Sequence, residues 1–328
     1  MKLDRRVLAV LVAIGIAPEA CGHNEMVYDR ESPVSIETLA FEPASSGPLA
    51  LAGVWEMDSA NSFFGGYSGL IALSPDSLLA INDRGRLLEI PRPDMSDRPP
   101  EVDLFRSFRK NYAIRVDSES LTLDADTGRM WIGVEDANRI VRFEADRKTK
   151  KAVDPQAMRD WPENGGPEAM TRLRDGRFLA IAEEGVSADT FRALLFPGDP
   201  VEQDRSIAFT LTGPKGFLPS DMTQLPDGRV AVLLRGVAPG LPLRFPVHIA
   251  VFDPARIAAG ATIALQTLAT VDTPFPTENY EGLAVVEEEG GWTFWLISDD
   301  NFARWQRTLL LKLRWERAPS AQRQKARK

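Results

Sequence analysis

Acidic residues recur along this chain at the start or the end of short apolar runs. Glu119, Glu168, Asp221 and Glu281 open such runs, with Ser68 in the fifth place. Asp83, Glu135, Glu183 and Asp299 close the runs that follow, with Arg235 in the fifth place. Carboxylates in this number suit two kinds of chemistry: holding a hard cation through oxygen ligands, or acid–base work by a carboxyl whose pKa its neighbours have raised. The same pattern permits a plain structural use, in which each acid accepts backbone N–H groups and closes its own turn. Departures from the repeat are the better functional candidates, because a substrate site must break symmetry. They are Ser68, Arg235 and the doubled Asp299-Asp300.

A unit that occurs five times carries these residues: a short apolar strand, an Asp/Gly-type turn, and a second apolar strand ending in charge. The copies begin at Ser68, Glu119, Glu168, Asp221 and Glu281, so successive starts lie 51, 49, 53 and 60 residues apart. That is the period of a propeller blade and too long for most helical repeats. Turns such as Pro226-Asp227-Gly228 supply the positive φ that a tight hairpin needs. Third strands are predicted over 86–90, 139–143, 192–196, 247–252 and 308–315, and outer strands over 102–105, 207–211 and 262–269. The expected fold is all-β: a β-propeller of four-stranded blades, five by repeat count, with six left open by the longer last interval. Segments 36–41 and 49–57 are expected to close the ring beside the C-terminal strand, giving one propeller domain over 35–316. A β-sandwich is the rival, but it does not require fivefold internal similarity.

Antiparallel pairing puts the start of a hairpin's first strand and the end of its second at the same edge. Both acidic sets are therefore expected around one mouth of the central channel. There Glu119, Glu168, Asp221, Glu281, Asp83, Asp299 and Asp300 are the expected ligands of a calcium ion. Arg84 and Arg235 are the expected holders of an anionic or ester substrate, and Glu281, Asp299 and Ser68 are the catalytic candidates.

Other chemistries find little support. The two histidines are His23, near the N-terminus, and His248, inside an apolar strand pattern where it reads as a core-edge residue. No Gly-x-Ser-x-Gly elbow occurs, although Gly66-Tyr67-Ser68-Gly69 comes near one. Zinc lacks its usual ligands, since there is one cysteine and no paired histidine. Trp131, Trp292, Trp295 and Trp315 read as blade core, while Trp161 and Trp305 lie in loops where they could stack on a ligand or simply pack. A net charge of −8 argues against nucleic acid as a partner.

Lys2, Arg5 and Arg6 precede an apolar run from Val7 to Ala17, the pattern of an export signal over 1–21. Cys21 follows it as in a lipoprotein signal, which would give a lipid anchor; a simple cleaved signal is the alternative. Residues 22–34 are expected to be a polar tether, and the basic segment 317–328 a disordered tail. With a single thiol, no disulfide can hold the fold. The expected location is outside the cytoplasm, periplasmic or anchored to a membrane facing the periplasm.

Two blocks near the C-terminal end, Asn279-Tyr280-Glu281-Gly282-Leu283-Ala284 and Leu296-Ile297-Ser298-Asp299-Asp300-Asn301-Phe302, followed by Gln306-Arg307-Thr308-Leu309-Leu310, resemble the closing signature of the bacterial "esterase-like activity of phytase" family. Gly66-Tyr67-Ser68-Gly69-Leu70 with Asn82-Asp83-Arg84-Gly85, and Asn164-Gly165-Gly166-Pro167-Glu168-Ala169, are similar to its earlier blocks. Ser118-Glu119-Ser120 departs from the pattern, because a glycine usually follows the acid. The resemblance implies an exported phytase-like propeller that hydrolyses a phosphoester or carboxylic ester. It carries no catalytic residue set with it. A non-catalytic periplasmic propeller that binds a ligand or a protein is the alternative expectation.

Overall fold

The computed structural model of the protein describes residues 29–104, 117–135, 137–162, 165–183, 186–240, 243–303 and 305–316. Cys21, His23, Arg304 and the segments expected as signal and basic tail lie outside the described residues.

The second strand of each hairpin is apolar on both of its faces. Ser77–Asn82 and Phe178–Ala182 are buried at every position, and Val230–Gly236 at all but one. Side chains alternate across a strand, so burial on both faces requires a sheet on each side. Five sheets in a ring meet that requirement.

The first blade pairs Tyr67–Ser74, Ser77–Asn82, Arg86–Pro91 and Glu101–Leu104 in that order. Ser118–Asp124, Arg129–Val134, Arg139–Phe143 and Lys150–Val153 form the second. The third is Pro167–Arg172, Phe178–Ala182, Thr190–Phe196 and Ile207–Thr212, and the fourth is Phe217–Gln224, Val230–Gly236, Val247–Phe252 and Gln266–Val271. In the fifth, Tyr280–Glu288, Gly291–Ser298 and Thr308–Glu316 are completed from the other end of the chain by Leu49–Asp58, and Ser35–Thr38 adds an edge strand. Thr308 pairs with Met57 and Leu311 with Val54, which is the ring closure expected from the sequence. The apolar core divides into five clusters, one at each junction between neighbouring blades. The blade count is five.

Three details differ from expectation. The predicted strand over 262–269 is two strands: Thr262–Ala264 pairs in parallel with the outer strand of the third blade, and Gln266–Val271 completes the fourth. Lys150–Val153 was not anticipated, because its exposed Lys-Lys-Ala-Val has no apolar alternation to reveal it. Within the expected tether, the Asp29 N–H donates to Ser62 Oγ at 3.0 Å, and Val34 is buried. Among the described residues no helix is long and apolar enough to cross a membrane.

Candidate functional site

All five inner strands carry a β-bulge at the same end. The register slips between Tyr67 and Gly69, Ser118 and Ser120, Pro167 and Ala169, Pro219 and Asp221, and Tyr280 and Gly282. A bulge leaves one residue unpaired and re-aims its side chain. The unpaired residues are Ser68, Glu119, Glu168, Ser220 and Glu281. The partners of the flanking residues fix the rim positions that follow each second strand: Asp83, Glu135, Glu183, Arg235 and Asp299. These ten positions form a ring at one mouth of the channel, and Arg235 is the one cation in it.

Direct contacts tie the ring together. Ser68 Oγ donates to Asp83 Oδ1 at 2.6 Å. Arg235 donates to Glu183 at 2.8 Å and sits 3.1 Å from a Glu281 oxygen, bridging the third and fifth blades. Asn279 Nδ2 donates to Glu281 Oε1 at 2.7 Å, and the Asn301 N–H donates to Asp299 Oδ1 at 2.6 Å. Glu135 belongs to two acidic groups whose ligand atoms lie within 4.8 Å of one another: with Asp117 and Glu119, and with Glu168 and Glu183.

This packing shifts the acids strongly. Burial pushes Asp83 up to about 7, with Glu281 and Asp117 adding to it and the Ser68 hydroxyl opposing. Burial first, then Glu168, Asp83, Asp117 and Glu281, hold Glu119 well above the usual range. Glu168 is raised by burial and by Glu183 and Glu135, against Arg235. Asp299 is raised by burial and by Glu281 and Asp83. Glu281 is raised less freely, since Arg235 and Asn279 oppose its burial. Burial works against the charge on Arg235, but Glu281, Glu183, Glu168 and Asp299 outweigh it and keep the guanidinium protonated. The ring therefore holds protons at neutral pH or exchanges them for a cation.

Two expected site residues, Asp221 and Asp300, are hydrogen-bonded within the fold. Asp221 is one position past the bulge, in the layer occupied elsewhere by Gly69, Ser120, Ala169 and Gly282. Gly282 leaves no room for a side chain, since a Cβ there would come within 2.8 Å of the Leu70 side chain. Asp221 reaches across this layer. Its Oδ2 accepts the Leu70 N–H at 3.1 Å and the Leu283 N–H at 2.7 Å, while Oδ1 accepts the Met222 N–H. Both oxygens accept from backbone N–H groups, so Asp221 pins three inner strands. Ser220 takes its place in the ring. Asp300 is committed as well: Oδ1 accepts the Gly66 and Phe302 N–H groups, both at 2.9 Å, and Oδ2 accepts from Thr308 Oγ1 at 2.8 Å. Gly66, at φ +68°, would put a Cβ within 2.4 Å of the Phe302 ring, so the glycine and the Asp-Asp-Asn-Phe turn form one clasp between the fifth and first blades. Arg84 lies outside the ring, exposed and 3.5 Å from the centroid of Phe302.

Trp161 is buried in the junction between the second and third blades, and Trp305 is exposed. His248 is half-buried between Phe217 and Thr270 in the fourth blade, and burial lowers its pKa. Ser120 Oγ donates to the Pro167 carbonyl at 2.6 Å, which gives the unusual residue after Glu119 a packing role. Asp117 and Ser220 were missed by the sequence reading. The five unpaired bulge positions were the signal for Ser220, but a bulge is visible only once strands are paired.

Buried polar atoms without partners gather here. Ser118 Oγ, Ser220 Oγ and Asn279 Oδ1 are all in this state. Because Asn279 donates its amide N–H to Glu281, its oxygen is fixed as a bare acceptor in the cluster. The donor set is entirely oxygen, which suits a hard cation and not zinc.

Three solved structures are similar to this chain at low identity. The major Malassezia sympodialis allergen Mala s 1 is 15% identical with a TM-score of 0.43, over 88% of this chain and 91% of that one. A luciferin-regenerating enzyme is 10% identical with a TM-score of 0.43, over 85% and 95%. A chain of a nidogen/laminin complex is 9% identical with a TM-score of 0.43, over 80% and 88%. No curated protein matches the sequence. The phytase-like family model, described as esterase-like activity of phytase, matches residues 62–302, from just before the first blade to the turn after the second strand of the fifth, and the chain belongs to that family.

Proposed function

We propose that the protein is a hydrolase of phosphoesters or carboxylic esters that works at the acidic mouth with a bound hard cation, calcium in the first instance. The observation that carries this reading is the pair of carboxylate groups sharing Glu135, one of which reaches Arg235 through Glu183. Asp117, Glu119, Glu135, Glu168 and Glu183 would hold the cation, and its charge would compensate acids that burial otherwise keeps protonated. When bound, such an ion polarises a phosphoryl or carbonyl oxygen and makes water more acidic. Arg235 would orient an anionic group of the substrate, with its Nε, buried and unpartnered, as an unspent donor. Asp83, held by Ser68 and with a pKa near 7, is the side chain best placed to move a proton at neutral pH. Ser68 is buried and already bonded to Asp83, so it positions that acid and does not act as a nucleophile. The N-terminal pattern supports export, to the periplasm or to a membrane anchor at Cys21.

One observation favours a second reading. The ring holds no histidine and its serines are buried, which suits a propeller that binds a ligand without turning it over. Turnover of an aryl phosphate and an aryl ester by the purified chain, with calcium and with chelator, separates the two. The hydrolase reading expects turnover that chelator abolishes and that Arg235→Gln and Glu135→Gln reduce at least tenfold. Calcium binding with no turnover of either substrate class would overturn it in favour of the binding propeller.

A further inference from the structure

The mouth face holds a second recess, outside the ring. Ser35 pairs with Asp58 and Thr308 with Met57, so the outer strands of the fifth blade end at the level of the mouth. Beyond them lies a cleft of about 700 Å³. One side is the edge hairpin, with Glu37, Glu56 and Asp58; the other is the turn after Asp299, with Phe302, Gln306 and Arg307. Asp299 is a rim position of the ring and Asp300 lines the cleft, which makes that turn a wall between the two.

The two sides offer opposite halves of a hydrogen bond. Glu37 is the direct partner of Glu56 across the antiparallel pair, so both carboxylates stand on one face of the hairpin. Asp58 follows Glu56 by two residues and shares that face. Like charges opposed in this way cost stability. Arg307 relieves part of that cost at 3.8 Å from Glu56, but it is bonded to Glu278 at 2.9 Å. Among the described residues no cation pairs with Glu37 or Asp58. Across the cleft, Gln306 is 8% exposed and its side-chain Nε2 has no acceptor. A buried amide donor in this state is rare and costly, and it points to a missing partner.

Three acceptors facing one unmet donor select the ligand. Glu37, Glu56 and Asp58 repel an anion, which separates this cleft from the Arg235 sector of the ring. An ammonium group satisfies the carboxylates but leaves the Gln306 donor without an acceptor. A hydroxyl both donates and accepts, so a ring that carries several hydroxyls meets both sides at once. The C–H face of such a ring needs an apolar support. Trp305 lies between the lining residues Ala303 and Gln306 and is 68% exposed. The negative face of an indole attracts C–H groups. Phe302 is less open, at 37%, and already carries the Arg84 guanidinium 3.5 Å from its centroid.

We propose that this cleft binds a neutral saccharide, whose hydroxyls donate to Glu37, Glu56 and Asp58 and accept from Gln306, with Trp305 under its C–H face. The cleft binds sugar whether the ring hydrolyses a substrate or only holds one.

The test applies the full chain to a printed array of neutral glycans, followed by saturation-transfer NMR of the free mono- and disaccharides. At least one neutral glycan should be retained, with saturation strongest on the C–H protons of one sugar face. Trp305→Ala should weaken that binding about tenfold and Glu37→Ala about threefold, both at exposed sites where folding is not at stake. Gln306→Met removes the unmet donor, so it should weaken binding while stability in urea stays at or above that of the parent. A Gln306 that serves the fold alone would lose stability and leave binding unchanged. Arg235→Gln and Glu135→Gln should leave sugar binding intact, which separates a failure of this cleft from a failure of the ring. An array that retains no neutral glycan would overturn the proposal, as would equal binding by parent and Trp305→Ala. Calorimetric binding of spermidine that Glu37→Ala weakens, with no sugar bound, would overturn it in favour of a cation site.

Discussion

Asp221 and Glu135 are acids of one repeat at one end of one channel, yet they sit in opposite electrostatic situations. Asp221 is buried among backbone donors: three N–H groups from three inner strands satisfy its two oxygens. Glu135 shares two groups with four other acids, the ligand atoms of each group within 4.8 Å of one another. Burial raises Asp221, and backbone donors from Leu283, Leu70 and Met222 partly offset that. Burial, with the charges of Glu183 and Glu135 adding to it, raises Glu168. The neighbours of each acid, backbone N–H groups at Asp221 and other carboxylates at Glu135, distinguish the two, and not position in the repeat.

The largest expected effect is at Asp221. Removing its side chain leaves the Leu70 and Leu283 N–H groups buried without acceptors at the seams between blades. Asp221→Ala should cost about 3–5 kcal/mol in urea denaturation, and Asp221→Asn, which keeps one acceptor, should cost less. Calcium affinity of the folded variants should match that of the parent. A calcium site lost with Asp221→Asn at unchanged stability would reverse the assignment made from its hydrogen bonds.

Glu135→Gln should do the converse. Calcium affinity by calorimetry should fall at least tenfold, while the metal-free protein becomes slightly more stable because one of several mutually repelling charges is gone. Equal affinity in variant and parent would remove Glu135 as a shared ligand.

The fold was legible because its signals are local. Asp/Gly-type turns and apolar runs gave five hairpins, and antiparallel pairing then placed both acidic sets at one mouth. Ring closure followed from a last blade that ran out of chain. Ser220 and Asp221 show where local reading stops. Matching acid to acid puts Asp221 beside Glu168 and Glu281, but Pro219 pairs with Leu234 and Asp221 with Leu233, so the unpaired residue is Ser220. A one-residue slip changes which side chain faces the mouth, and only the neighbouring strand fixes it. The partners of Asp300 could not be read locally for a similar reason: Gly66 and Thr308 lie in other parts of the ring.

A pH titration sharpens the contrast at intermediate scale. Asp83 has a folded pKa of about 7, above the value of a carboxyl in an unfolded chain, so the folded state holds its proton longer. Stability from this group is fully present below the unfolded value and is lost as pH rises through about 7, and the raised Glu119, Glu168 and Asp299 act in the same direction. The metal-free protein should therefore lose thermal stability from pH 5 to pH 8. Calcium should reverse this, because a cation replaces protons on the same oxygens, so its stabilising shift in Tm should be larger at pH 8 than at pH 5. A calcium shift independent of pH would mean that the ion binds somewhere other than the raised acids.

The smallest expected effect separates the two serines of the ring. Ser68 and Ser220 occupy equivalent bulges, each opposite a rim residue, but Ser68 faces Asp83 and Ser220 faces the blade of Arg235. Ser68 donates at 2.6 Å, so Ser68→Ala takes a donor from a buried acid and should cost about 1–2 kcal/mol while raising Asp83 further. Ser220 is as deeply buried and its hydroxyl has no partner. Ser220→Ala removes an unsatisfied polar group and should leave stability within about 0.5 kcal/mol of the parent. Natural cores seldom keep such a group without use, and with Arg235 Nε it makes a second unspent donor in the same blade. If these donors receive an anionic group, Ser220→Ala should weaken binding of inorganic phosphate with folding untouched, and Ser68→Ala should do the reverse. Equal losses of stability in both variants would show that Ser220 is bonded within the fold, and would leave Arg235 alone as the anion contact.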